Sequence, residues 1–238
     1  MIRVHDVRKE FLLSHSGAGS LKSALLWWKR RQLEHFVALD GVSFEVAAGD
    51  SVALIGKNGA GKSTMLSLLA RIYKPTSGTI EIQGRIAPLL ELGAGFHPDL
   101  TGLENILFNG MILGLTRAEV NARISQIVEF AELSNHIDAP VRTFSSGMMA
   151  RLGFAIAVHV DADILLVDEV LAVGDHDFEQ KCYARIDEFR KNGGTIFFVS
   201  HNPVAVERVA DRCIWLQKGR VHMDGPVSEV LPIYQPDR

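Results

Sequence analysis

With 238 residues, of which 47% are apolar and 22% charged, the chain is long enough to bury a substantial core and too apolar to be largely disordered. Its formal net charge of −3 argues against general nucleic-acid binding, which normally needs a strongly basic balance, so we expect no nucleic-acid partner. The two cysteines, Cys182 and Cys213, form no metal-binding or disulfide pattern and are expected to be small buried hydrophobes.

The first half of the chain mixes strand-like and helix-like segments. We expect a short strand up to about Phe11, a Ser- and Gly-rich connector, an amphipathic helix from Leu21 to Leu33 and the strand-like ALDGVSFEVAAGD. The apolar strand SVALI then leads into a glycine-rich stretch, after which MLSLLARIY predicts a helix and SGTIEIQGRIA a return to sheet. A buried strand followed at once by a glycine-rich turn and a helix is the most informative of these transitions.

The second half begins with a helical block and then alternates. From Thr101 to about Asn135 apolar residues recur at helical spacing, and Thr116 with Glu119 predicts a capping box. A helix from Met148 to Val158, the strand DILLVDE, a helix from Asp177 to Lys191, the strand GTIFFVS, the helix VAVERVADR and the hairpin CIWLQKGRVHMDG follow. This alternation predicts an α/β fold with a mostly parallel core sheet into which the helical block is inserted.

The glycine-rich stretch GKNGAGKS, Gly56 to Ser63, fits the phosphate-loop pattern G-x-x-x-x-G-K-[ST]. Glycines allow several backbone N–H groups to turn toward one anion, Lys62 would reach the β- and γ-phosphates, and the Ser63 hydroxyl would ligate Mg²⁺. A chance glycine-rich turn is the alternative, but the position between a buried strand and a helix favours a phosphate site. The residues expected to bind ATP here are Gly56, Lys57, Asn58, Gly59, Ala60, Gly61, Lys62, Ser63 and Thr64.

The apolar strand ILLV ends in two carboxylates that suit the same site. Asp168 is expected to hold the Mg²⁺ shell, and Glu169 to act on the attacking water as general base. Alone, the pair could simply cap a buried strand. With the phosphate loop on the same chain, a catalytic role is favoured.

Through the order of these and further motifs, the sequence resembles the ATP-binding subunits of ABC transporters over nearly its whole length. The stretch FSSGM, Phe144 to Met148, stands where that family usually has L-S-G-G-Q, and Ser146 and Met148 depart from the commoner pattern. The resemblance implies a single cassette over residues 1–238, a P-loop NTPase with an N-terminal antiparallel β subdomain and a helical subdomain at about 100–160. It also implies a homodimer in which Ser145, Ser146 and Gly147 contact the ATP bound to the other subunit.

Two further motifs follow in the family's order. LAVGD takes the place of the usual S-A-L-D turn, and its acidic member, Asp175, is expected to be a further ATP-binding residue. FFVSHN places His201 where the family has a histidine that contacts the γ-phosphate. A lone histidine after an apolar strand is more often structural. As part of this ordered set, His201 is expected to be catalytic, and the resemblance implies ATP hydrolysis with ATP and Mg²⁺ as cofactors.

Two family positions are ambiguous here. LLELGAGFHPDLTG contains no glutamine where the family usually has one that reaches Mg²⁺, so Glu91 is the candidate, with His97 the weaker substitute and an exposed loop carboxylate the alternative. For the aromatic residue that stacks on adenine, Phe11 fits by its place after VRKE and Phe36 by its nearness to the next strand. Phe11 is preferred.

The sequence stretches ELGAGFHP and AVGD are similar to those found in one branch of the family. That branch exports bacterial surface polysaccharides: O-antigen, capsule and teichoic acid. That resemblance implies a lipid-linked polysaccharide as substrate and a separate polytopic permease in two copies. It also implies a peripheral position at the cytoplasmic face of the bacterial inner membrane. No segment approaches the ~18 apolar residues that span a bilayer, which fits a cytoplasmic protein. Another ABC exporter, an importer, or a soluble ABC ATPase acting on ribosomes or DNA is the alternative.

The segment LKSALLWWKRR, within residues 21–33, is expected to form an amphipathic insert at the membrane side. Trp27 and Trp28 suit a bilayer interface, and the basic residues Lys22, Lys29, Arg30 and Arg31 suit anionic headgroups or a glycan pyrophosphate. The alternative is that both tryptophans pack on the domain's own sheet.

Overall fold

The structure, a computed structural model, describes residues 1–14, 33–90, 92–93, 95–168 and 174–234. The strands in this part of the chain are β1 (Ile2–Ser14), β2 (Leu33–Val46), β3 (Ser51–Ile55), β4 (Ser77–Ile82), β5 (Ile86–Leu89), β6 (Ile164–Val167), β7 (Thr195–Val199), β8 (Arg212–Gln217) and β9 (Arg220–Pro226). The α-helices are α1 (Lys62–Leu69), α2 (Gly102–Ile112), α3 (Arg117–Ala131), α4 (Ser146–Val158), α5 (His176–Lys191), α6 (Pro203–Val209) and α7 (Val227–Val230), and a 3₁₀ turn covers Val141–Thr143.

Two sheets organise the described residues. The larger has the order β5-β6-β7-β3-β8-β9, and all its pairs are parallel except the β8–β9 hairpin. The smaller has the order β2-β1-β4 and is antiparallel. The predicted α/β fold with a mostly parallel core sheet and an antiparallel N-terminal subdomain is confirmed. Because parallel strands end at one edge, the residues that follow β3, β6 and β7 lie at the same side of the sheet.

The central strands are buried on both faces, which explains their unbroken apolar sequences. β3, β6 and β7 are buried at every position. Alternate side chains point to opposite faces: Val52 and Leu54 join the cluster that contains α1 and the antiparallel sheet, whereas Ala53 and Ile55 join the cluster beneath α4, α5 and α6.

The helical block lies between β5 and β6 in the chain, as predicted. α2 and α3 each begin with a complete capping box, Thr101 with Glu104 and Thr116 with Glu119, so the predicted start of α3 is confirmed. Helix α4 joins this block to the sheet, because Leu152 packs among the helices while Phe154 packs in the core beneath the sheet. The position of the first turn of α4 is therefore determined by two packing surfaces.

Some predicted boundaries were wrong. The helix expected to run to Tyr73 ends at Leu69, because Arg71 adopts a left-handed conformation, φ 61°, that stops it. β1 continues past Phe11 to Ser14, and Leu33, the expected end of a helix, begins β2. Both strands extend this far because β1 and β2 pair with each other through this stretch. The remainder of the predicted helix, with both adjacent tryptophans, lies outside the described residues.

Both cysteines are buried apolar side chains, as predicted. Burial raises the pKa of the Cys182 thiol and of the Cys213 thiol to about 12. Across the described ranges, no helix combines the length and apolar composition needed to cross a bilayer.

Candidate functional site

The glycine-rich stretch forms a loop between β3 and α1, and its backbone needs glycine at two points. Gly56 has φ 156° and Gly61 has φ 105°, and Gly61 is the residue that precedes the first turn of α1. A Cβ atom would lie 2.4 Å from the Leu216 carbonyl oxygen at Gly56, and 2.6 Å from the Ala38 carbonyl oxygen at Gly61. Both the torsion angles and the close approach of neighbouring backbone therefore exclude other residues.

The ammonium group of Lys62 lies inside this loop. Its Nζ donates hydrogen bonds to the carbonyl oxygens of Gly56 at 2.6 Å and Lys57 at 3.2 Å. Burial lowers the pKa of Lys62, and the nearby carboxylate of Asp168 opposes that shift. A cation with little water around it, beside the amino end of a helix, is well placed to receive an anion.

Asp168 and Ser63 line one pocket. Asp168 directly follows β6, Ser63 lies in the first turn of α1, and both line a cavity of about 430 Å³. Burial raises the pKa of the Asp168 carboxyl, and the charge of Lys62 opposes that shift. Glu169, the expected general base, lies just beyond the described residues.

These two side chains fit Mg²⁺. A hydroxyl and a carboxylate are hard oxygen ligands, and Mg²⁺ at a phosphate site typically takes one or two protein groups and completes its shell with phosphate and water. Among the described residues, no cluster of three or more acidic, histidine or cysteine side chains offers an all-protein metal site. Glu91, the third expected ligand, lies outside the described part of the chain. His97, its alternative, is exposed, and its Nδ1 accepts a hydrogen bond from the Asp99 N–H at 3.3 Å.

The signature residues form a second pocket at the start of α4. Ser145 is the N-cap of this helix, and its Oγ accepts a hydrogen bond from the Met148 N–H at 3.2 Å. Ser146 is the first residue of the helix, and Gly147 lines a cavity of about 450 Å³ together with Asp175. This cavity and the one that contains Ser63 have no lining residue in common. One chain thus carries two separate pockets, one at the phosphate loop and one at the signature residues.

An arginine that the sequence analysis missed joins the signature helix to Asp175. Arg151, one turn beyond Gly147, donates to Glu132 Oε2 at 2.9 Å and to Asp175 Oδ2 at 2.7 Å, and it lies over the Phe178 ring at 4.8 Å. Asp175 also caps α5, because its Oδ1 accepts from the Phe178 N–H at 3.0 Å. The backbone hydrogen bond and Arg151 both hold the pKa of Asp175 below its usual value. The sequence signal for Arg151 was its position one helical turn after Gly147. Its ion pairs could not be predicted, because Glu132 and Asp175 are distant from it in the sequence.

Replacing Arg151 with alanine is expected to lower the free energy of unfolding by about 1–2 kcal/mol, since two charge-assisted hydrogen bonds are lost at partly exposed carboxylates. Urea denaturation would measure the loss. The matched control is Arg142→Ala: Arg142 pairs with Asp99, but both side chains are more than 60% exposed, so its loss should be within about 0.5 kcal/mol. Equal losses would mean that the Arg151 contacts contribute no more than an ordinary surface pair.

The two candidates for the adenine contact are cross-strand neighbours, because Phe11 in β1 pairs with Phe36 in β2. The Phe11 ring meets Tyr73 edge-on, with centroids 5.6 Å apart, and Tyr73 lines the cavity that contains Ser63. Phe36 is 48% exposed. Phe11 thus touches a residue of that cavity, and its stacking on adenine stays a prediction.

His201 follows β7 at the same edge of the sheet as the phosphate loop, and it is exposed. The residue before it, Ser200, is buried, and its Oγ accepts a hydrogen bond from the Asn202 N–H at 3.0 Å. The turn after β7 is therefore fixed by its own hydrogen bonds, and His201 lies at the strand end where it was expected.

A parallel sheet with a phosphate loop after β3 and a partly buried carboxylate, Asp168, after β6 is the arrangement of a P-loop nucleoside triphosphatase. Residues 39–172 match the family model described as ABC transporter. The chain belongs to the ABC transporter family, and it is an ATPase of the ABC type.

Curated proteins are similar in sequence to this chain over nearly its whole length. The O-antigen export system ATP-binding protein RfbB of Klebsiella pneumoniae is 48% identical over 99% of this chain and 97% of its own length. RfbB of Myxococcus xanthus is 51% identical over 91% of this chain and 51% of its own length. The teichoic acids export ATP-binding protein TagH of Levilactobacillus brevis is 42% identical over 98% of this chain and 64% of its own length.

Solved structures agree with the fold. An ATP-binding cassette dimer in a post-hydrolysis state with ADP and Pi has a TM-score of 0.77 at 22% identity, covering 95% of this chain and 99% of that one. An ATP-binding subunit of an ABC transporter has a TM-score of 0.78 at 24% identity, covering 98% and 92%. At these identities the likeness concerns the fold alone.

Proposed function

We propose that this chain hydrolyses ATP to power export of a lipid-linked surface polysaccharide of the O-antigen type through a separate polytopic membrane protein, at the cytoplasmic face of the bacterial inner membrane. The observation that carries the proposal is the near full-length similarity, at 48% identity, to an O-antigen export ATP-binding protein. Both nucleotide surfaces of the chain lie within the matched region, so the similarity includes the site as well as the fold.

The active form is a homodimer with two ATP molecules. The phosphate loop and the signature pocket share no lining residue, so a nucleotide held by one chain leaves that chain's signature pocket available for another. In the dimer, Lys62 and the loop of one subunit hold the phosphates. Ser145, Ser146 and Gly147 of the other subunit contact the γ-phosphate at the positive end of α4.

Within one site, some residues bind the nucleotide, and others hold Mg²⁺ or act on the attacking water. Lys62 leaves the loop carbonyls to bind the β- and γ-phosphates, and Phe11 stacks on the adenine. Ser63 and Asp168 would hold Mg²⁺, with Glu91 as a further ligand, and the ion would neutralise charge on the phosphates. Glu169 takes a proton from the attacking water, and His201 contacts the γ-phosphate. Asp175 caps α5 and lines the signature pocket that receives the ATP of the other subunit.

The membrane partner docks on an apolar groove of about 180 Å³ between the loop after β5 and helices α2 and α4. Beside it, Phe108, Met111 and Ile112 are 45%, 44% and 62% exposed, which is unusual for neighbouring large apolar residues. Pro88 lines both this groove and the cavity that contains Asp168, so a segment bound in the groove touches the edge of the nucleotide site. The groove is lined by Pro88, Leu92, Gly93, Gly95, Phe96, Asn109, Ile112, Leu113, Gly153, Ile156 and Ala157.

A pull-down of the tagged chain from gently solubilised membranes, with proteins and lipids identified by mass spectrometry, tests this function. We expect a multi-span membrane protein and a polyprenyl-linked glycan. Ile112→Glu should lose the membrane protein, because a charge in the apolar groove opposes docking. The control is Val204→Glu, which changes a 73% exposed residue on α6. Recovery from the soluble fraction only, with ribosomes or DNA-repair proteins, would contradict the proposal.

A further inference from the structure

The charged side chains of the signature pocket are already paired with one another. Arg151 lies between the carboxylates of Glu132 and Asp175, and Lys181 Nζ lies 3.1 Å from Glu132 Oε1. Two cations therefore balance two carboxylates. Beyond the amino end of α4, which is assigned to the γ-phosphate, no Lys or Arg among the described residues of this pocket is left unpaired for a phosphate. The rest of the cavity suits an uncharged part of the ligand.

His136 is the polar side chain of this pocket that remains available. It lines the cavity and is exposed, and among the described residues its imidazole has no hydrogen-bond or ion-pair partner. Its backbone is held in place: the His136 N–H donates to the Leu133 carbonyl at 2.9 Å, and its carbonyl accepts from the Ala139 N–H at 3.0 Å. The side chains of Leu133 and Ile137 are buried on either side. The ring is thus presented to the cavity from a fixed turn.

Met148 is the reason why a hydrogen-bonding side chain elsewhere in the pocket matters in this chain. It lines the same cavity, and it stands where the family pattern has a glutamine, so a thioether replaces an amide there. An imidazole has both a ring N–H donor and a ring nitrogen acceptor, whereas a thioether is only a weak acceptor. His136 can therefore supply a hydrogen bond that Met148 cannot.

We infer that His136 hydrogen-bonds the ribose of the ATP held by the partner subunit. This rests on the proposed dimer. An ATP whose γ-phosphate lies at the start of α4 has only its sugar and base as uncharged parts, and the base is assigned to Phe11 of the subunit that holds the phosphates. The ribose hydroxyls are donors and acceptors that match an imidazole.

Dimerisation of the Glu169→Gln chain, measured by sedimentation velocity at saturating ATP, 2′-deoxyATP or 3′-deoxyATP, tests the inference. With His136 present, ATP should favour the dimer over at least one deoxy analogue by about 4- to 100-fold, since each of the two contacts in the dimer contributes about two- to tenfold. His136→Phe, which keeps a ring and removes its polar atoms, should abolish that preference. Nucleotide affinity of the monomer should not change. Asn135→Ala, next in the chain and outside the pocket, is the matched control.

The possible failures are distinguishable. If the Glu169→Gln chain forms no dimer with ATP, the proposed dimeric function fails, and the inference fails with it. If it dimerises equally with all three nucleotides, or if His136→Phe keeps the preference for ATP, only the role of His136 is overturned. A preference that disappears equally in Asn135→Ala would also overturn it, because the effect would then come from the turn and not from the imidazole.

Discussion

Replacing Glu169 with glutamine is expected to slow ATP hydrolysis by about 10²- to 10⁴-fold, the usual contribution of a positioned general base, while leaving ATP binding intact. In the sequence Glu169 directly follows Asp168, and the strand before this pair is buried at every position. In the proposed mechanism the Glu169 carboxylate takes the proton of the attacking water. Glutamine has nearly the same shape and cannot take the proton. The ATP-bound dimer should therefore accumulate.

Steady-state phosphate release and a nucleotide-binding titration measure the two halves of this prediction. The substitution should change the turnover number and leave the dissociation constant for ATP within about twofold, because the phosphate contacts of Lys62 and the loop remain. A variant that still hydrolyses ATP at the normal rate would remove Glu169 from the role of base. A variant that loses ATP binding would show instead that the residue supports the site structurally.

The second large effect is expected at Lys62. Lys62→Ala should weaken ATP binding by about 10- to 100-fold for each charge-assisted hydrogen bond to phosphate that is lost. The ammonium is mostly withdrawn from water and already near the phosphate-binding backbone, so its attraction for an anion is little screened. The carbonyl oxygens of Gly56 and Lys57 would also lose their donor, which should loosen the loop.

Calorimetric titration with ATP measures this loss, and Lys191→Ala, which removes an exposed charge from the last turn of α5, is the matched control. The two variants have the same formal net charge, so a difference between them reports position and not overall electrostatics. Wild-type affinity in Lys62→Ala would exclude this lysine from the phosphate site.

Much of this architecture is predictable from the sequence, because its main signals are local. SVALI is a continuous apolar run because β3 is buried on both faces, and the glycines after it are needed by torsion angle and by space at Gly56 and Gly61. The capping box at Thr116 is likewise a short-range pattern, and it was placed correctly.

The errors arise where tertiary structure overrides the local pattern. MLSLLARIY is apolar at helical spacing, but the left-handed Arg71 ends α1, and Ile72 and Tyr73 turn away, with Ile72 61% exposed. The contacts of Arg151 could not be predicted because its partners come from the end of α3 and the start of α5. His136 has no motif of its own, and only the shape of the cavity brings it to the signature residues.

The separation of the phosphate loop from the signature pocket has a kinetic consequence. If neither surface is complete on one chain, an isolated subunit is a poor catalyst, and turnover per chain should rise with chain concentration. Diluting the subunit would then suppress ATP hydrolysis. Two subunits held side by side on the paired copies of the membrane protein would meet at an effective concentration set by that assembly and not by the total concentration of the subunit in the cell. ATP would thus be spent chiefly where a transport path already exists.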